Sequence, residues 1–135
     1  MGTNYYAIKS KKPPCEHCGR EYDDPRLHIG KSSGGWCFSL HVIPEEGLNS
    51  LDDWKRYLTS GDVTIEDEYG TPRTFDELMQ TITERGRRDP LTWSDEMLDR
   101  NHAIPGPNNL VRHRLDQYCC GHGEGTWDLI TGNFS

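Results

Sequence analysis

Cys15-Glu-His-Cys18-Gly19 is the sharpest chemical feature of the sequence. Two thiolates at Cys-x-x-Cys spacing chelate one tetrahedral zinc ion. The glycine that follows permits the tight turn that aims backbone N–H groups at the sulfurs. Such a pair is half a site. His28 is the first choice for the third ligand, because it lies on a strand-like run soon after the knuckle, where alternation sets His28 and Gly30 opposite Leu27 and Ile29. The fourth ligand is open among Cys37, His41, His102, His113, Cys119, Cys120 and His122. Of these, Cys37 sits between Trp36 and Phe38 and reads better as a small buried hydrophobe. His17 lies inside the knuckle and is poorly placed to bind the same ion. The rival chemistry, a redox dithiol, needs a helix after the pair in a βαβ setting, and no such pattern follows here.

Gly30-Lys31-Ser32-Ser33-Gly34-Gly35 has the look of the tail of a phosphate-binding loop. The full pattern requires a glycine where Pro25 stands, and the following Trp36–Leu40 run reads as strand. A nucleotide triphosphatase is therefore excluded. A simpler anion site is left, with Lys31, Ser32 and Ser33 as binding residues, against the plainer reading of a glycine-rich turn. Nearer the C-terminus, Cys119-Cys-Gly-His-Gly-Glu-Gly-Thr126 gathers thiol, imidazole and carboxylate between glycines. His122 and Glu124 share a face if the chain is extended, which suits a base and its orienter or two metal ligands. The run matches neither H-E-x-x-H, nor G-x-S-x-G, nor the deaminase zinc pattern. Asp67-Glu68 is a further acidic pair.

These residues need a scaffold. Asn4–Ile8 reads as a strand. Arg26–Gly30 and Trp36–Val42 read as a hairpin around a five-residue loop. Ser50 is an N-cap for a helix whose Leu51, Trp54 and Leu58 fall on one face. Val63–Glu66 is a strand. Thr74-Phe-Asp-Glu77 is a capping box opening a second helix through Phe75, Leu78, Met79 and Ile82. A short helix is expected across Ser94–Arg100, a loop across Ala103–Asn109, and strands at Val111–Leu115 and Thr126–Thr131. The fold class is α+β: a small antiparallel sheet, two to three short helices packed on one side, and a zinc knuckle near the N-terminus.

Composition narrows the partners. The 135 residues suit one domain spanning 1–135, and a mean hydropathy of -0.86 implies a thin core that a metal would brace. Five cysteines, an odd number, favour a metal site over disulfides. The apolar runs are too short to cross a membrane, and the N-terminus lacks a secretory h-region, so a cytoplasmic protein is expected. The net charge is -7, and most of it arises in residues 37–83, where ten acidic side chains face three basic ones. Such a surface repels nucleic acid. The basic spots are Lys9, Lys11 and Lys12, and Arg85, Arg87 and Arg88.

The opening Met-Gly-Thr-Asn-Tyr-Tyr, the Cys15-x-x-Cys18-Gly-Arg knuckle and the His28-Ile-Gly-Lys-Ser-Ser-Gly-Gly-Trp-Cys-Phe run resemble a family of small proteins from bacteria and their phages. Asp67-Glu-Tyr-Gly70, Gly-His-Gly-Glu-Gly-Thr-Trp-Asp128 and the Phe-Ser ending are similar too, so the resemblance spans nearly the whole chain. No activity comes with it, and no catalytic residue carries over. It implies zinc ligands at Cys15, Cys18 and His28, and it weakens His41, near which members vary.

The leading expectation is a non-enzymatic, zinc-stabilised interaction module, linked to phages or mobile elements. It binds a host protein or a small anionic ligand through Lys31, Ser32 and Ser33. One alternative is a zinc-dependent hydrolase or nuclease-like enzyme using His122 and Glu124. The other is an acidic decoy that mimics nucleic acid and blocks a basic enzyme.

Overall fold

The computed structural model describes residues 2–9, 26–90 and 92–135. Cys15, His17 and Cys18 lie outside them. The chain runs β1 (Gly2–Lys9), β2 (Arg26–Ser33), β3 (Phe38–His41), α1 (Leu51–Leu58), β4 (Val63–Asp67), β5 (Pro72–Arg73), α2 (Phe75–Thr83), α3 (Asp95–Arg100), β6 (Ala103–Pro105), β7 (Val111–His113), β8 (Cys119–His122) and β9 (Trp127–Ile130). Single 3-10 turns occupy Pro44–Glu46 and Pro107–Asn109. The fold is α+β.

Seven strands form one sheet in the order β5-β4-β1-β2-β3-β9-β8, and β6 and β7 pair separately. The large sheet is antiparallel except where β9 lies parallel to β3. The helices start where their caps direct. Ser50 Oγ accepts from Asp53 N at 3.2 Å, and Thr74 and Glu77 complete a reciprocal capping box. Each cap satisfies backbone donors that the first helical turn leaves unpaired. Leu51, Trp54 and Leu58 of α1 and Leu78 and Ile82 of α2 then pack on one sheet face against Ala7, Ile29, Phe38, Leu40 and Ile65. Trp54, Phe38 and Ile29 are wholly buried there.

Alternation sends the intervening residues to the opposite face. By register, Asn4, Lys31, Ser39, Asp128 and His122 stand side by side across β1, β2, β3, β9 and β8. His28, His41, Ile130 and Cys119 flank that row. The second face is thus a polar surface rich in metal-binding side chains.

Four local features differ from the expectations or sharpen them. The strand after the knuckle continues to Ser33, so Lys31, Ser32 and Ser33 pair with β1 instead of forming a loop. The pairing slips between Tyr5 and Tyr6, a bulge that seats Ile29 in the core and turns Gly30 toward it as well. A Cβ at Gly30 would fall on the Ser39 carbonyl oxygen and the Phe38 ring, so only glycine fits there. The Ala103–Asn109 stretch carries strand β6 and a 3-10 turn, and the glycine-rich Cys119–His122 run is strand β8.

Candidate metal sites on the polar face of the sheet

Asp128 is fully buried on β9. A carboxylate taken out of water needs partners for its lone pairs. Its Oδ2 accepts from the His113 backbone N at 2.9 Å and faces His113 Nδ1 at 3.0 Å. Its Oδ1 faces His122 Nδ1 at 2.8 Å. A carboxylate only accepts, so both rings donate to Asp128 from Nδ1. Arg112 supplies the nearest positive charge, with Nε 3.2 Å from Oδ1. That contact is an ion pair without a directed hydrogen bond, since Arg112 Nε is buried with no hydrogen-bond partner among the described residues. Arg112 is held instead by Nη2, which donates to the Gly125 carbonyl at 2.7 Å.

Cys119 completes this cluster. Its Sγ lies 4.0 Å from His122 Nδ1, and the donor atoms of Cys119, His122 and Asp128 all fall within 4.8 Å of one another. Burial, then the nearby Asp128 charge, pushes the Cys119 thiol up to about 11. It is protonated near neutral pH and a poor nucleophile as it stands. Cys119 also lines a cavity of about 220 Å³ with Ser39, His113, Tyr118 and Phe134.

The second cluster lies on β2 and β3 of the same face. His28 Nδ1 lies 3.0 Å from His41 Nδ1, and His28 Nε2 lies 2.8 Å from Asn4 Oδ1. The Asn4 oxygen accepts, so His28 carries its proton on Nε2 and takes a hydrogen bond at Nδ1 from His41. Burial, followed by the charges of His41 and Lys31, lowers His28 to about 4. Burial also lowers His41, against hydrogen bonds involving the His28 and Gly132 backbone and the charge of Glu45. Both rings are neutral near pH 7, the form that ligates metals. Phe134 packs against both, with ring centroids 4.7 and 4.9 Å away. The pair borders a cleft of about 540 Å³ that Arg26, Pro44 and Glu45 also line.

The remaining candidates are dispersed. Cys37 is buried beside the Arg112 guanidinium. Cys120 and His102 are exposed, and Glu124 is exposed beside Ser50, Asp52 and Lys55, while the His122 ring turns to Asp128. Asp67 belongs to a turn: it accepts from Tyr69 N, Thr71 N and the Arg73 guanidinium. Glu68 accepts from the Asn4 backbone. Beside Lys31, Arg85 donates to Ser32 Oγ and, at 2.6 Å, to the Ser33 carbonyl. Arg87 lies against Gly35.

Neither spacing nor motif singles out Asp128 in the sequence, and His113 is one of several candidate ligands there. The alternation Trp127, Asp128, Leu129, Ile130 carried a signal, because a carboxylate opposite two core residues must face the other side of the sheet. No family model matches the chain, and no curated protein or solved structure is significantly similar to it.

Proposed function

We propose that this protein is a zinc-braced interaction module. Its structural ion is held by Cys15 and Cys18 together with His28 and His41. The observation that carries this reading is the 3.0 Å separation of His28 Nδ1 and His41 Nδ1. Two imidazoles on one tetrahedral zinc, with Zn–N of about 2.0–2.1 Å, place their nitrogens about 3.3 Å apart. An ion would replace the single proton that now lies between two neutral rings. It would also cross-link β2, β3 and the segment before β2, which suits a thin core.

The partner surface is the β2 end that carries Lys31, Ser32 and Ser33. Arg85 and Arg87 reach this end from a distant part of the sequence. Lys31 on the polar face and Arg85 beside Ser32 on the other give this end of β2 positive charge on both sides of the sheet, which favours a small anionic ligand or an acidic patch on a protein partner.

The test is ion counting by native mass spectrometry on the wild-type protein and on Cys15→Ser and His41→Gln. Each variant is expected to lose one zinc and much of its thermal stability. Variants that keep the wild-type ion count overturn the ligand set. A Cys15→Ser protein that has lost one zinc yet is equally stable overturns the structural role.

A further inference from the structure

We propose that Cys119, His122 and Asp128 form a second, separate site for a divalent transition-metal ion of the zinc or cobalt class, with one coordination position left to an exogenous ligand. The site uses no residue of the knuckle and stands whether or not the knuckle binds zinc.

Strand geometry supplies the first argument. Residues three apart on a regular strand point to opposite faces. Pairing of β8 with β9 slips between Cys119 and Gly121, and this irregularity brings Cys119 onto the same face as His122. Bulges of this kind re-aim side chains beside functional sites. His122 stands directly across from Asp128, and Cys119 across from Ile130. The N···O separation is 2.8 Å and the S···N separation 4.0 Å. A tetrahedral zinc with its usual bond lengths requires about 3.4 and 3.6 Å. The third pair, sulfur and carboxylate oxygen, lies within 4.8 Å where about 3.6 Å is needed, so shifts of about 0.5–1 Å bring the three donors onto one ion.

The donor set supplies the second argument. Sulfur, imidazole nitrogen and a single carboxylate oxygen fit zinc or cobalt and disfavour calcium and magnesium, which want oxygen. The second carboxylate oxygen, Oδ2, is already fixed by the backbone and ring of His113, the outer hydrogen bonding that metal-binding carboxylates carry. The proton balance is simple. The Cys119 S–H proton leaves to solvent, the His122 proton moves from Nδ1 to Nε2, and one proton is released per ion. Three protein donors make an open site, and the cavity that Cys119 shares with Ser39 and His113 has room for water or an oxyanion.

Cobalt(II) titration of the wild type and of Cys119→Ser tests the site, read by ion count and by thiolate-to-cobalt charge-transfer absorption. Cys119→Ser is expected to bind one ion fewer and to lose the absorption due to its thiolate. An unchanged count and spectrum overturns the proposal, as does a wild type that binds no cobalt. If the knuckle reading fails and this one holds, the wild type binds one ion and Cys119→Ser none. If only the knuckle binds, both proteins bind one ion with the same spectrum. Should Cys119→Ser fail to fold, His122→Gln is read in the same way, with the loss of one ion expected and retention overturning the site.

Discussion

The indole N–H of Trp54 donates to the carbonyl oxygen of His41 at 2.7 Å. One hydrogen bond thus joins the buried helix face to the strand that carries an imidazole on the other side of the sheet. Trp54→Phe keeps an aromatic ring but leaves the carbonyl without its partner. A loss of about 1–3 kcal/mol in urea unfolding is expected. Trp54→Ala adds a cavity and is expected to cost about 3–5 kcal/mol. Equal effects from the two variants would show that the hydrogen bond, and not packing, carries the role of Trp54.

Stability should fall on acidification. The folded protein holds His28 at about 4, below its ordinary 6.5. Between those values the unfolded chain binds the proton and the folded one resists it. The contribution of His28 is therefore full above about 6.5 and is lost as pH drops toward 4. Allowing for solvent screening of a partly exposed ring, the loss is about 1–2 kcal/mol. Unfolding midpoints of the metal-stripped protein at pH 7.5 and 5.0 measure it, because an ion on His28 would add a pH dependence of its own. His28→Gln should flatten the difference, and an equally steep profile in that variant would assign the effect to other groups.

Gly30→Ala is the smallest substitution that should damage the sheet. Its methyl would meet the Ser39 carbonyl and the Phe38 ring, both held by β3. Overpacking of this kind costs about 1–3 kcal/mol. A variant as stable as wild type in denaturant unfolding would mean that β2 and β3 separate more readily than their pairing implies.

Local signals were legible in the sequence, and distant pairings were not. Ser50, Thr74 and Ser94 each cap a helix where their side chains face an acidic first turn. Those caps depend on residues three or four apart, which any reading of the chain can see. The parallel pairing of Phe38 with Trp127 depends on residues far apart in sequence, and no local pattern announces it. The glycines of the Cys119–His122 run imitate a loop, although cross-strand bonds to β9 hold it extended. Once that hairpin is hidden, the meeting of Cys119, His122 and Asp128 is hidden with it. The hydrogen bond between His28 and His41 is half legible in the sequence, because both are ligand types near the knuckle, but its closeness comes from the β2–β3 register.

The position of β9 governs how the protein can be made. It follows β1 to β8 in sequence, yet it lies between β3 and β8, inside the sheet. During synthesis from the N-terminus, β3 is a bare edge for as long as β9 is still in the ribosome. That edge carries Phe38 and Leu40, both wholly buried in the finished fold. An unpaired apolar strand recruits neighbouring chains. Non-local pairing is also slow to form. The nascent chain therefore passes through an adhesive stage that ends only when Trp127–Ile130 slots into place, and chaperone demand should be greatest just before that moment.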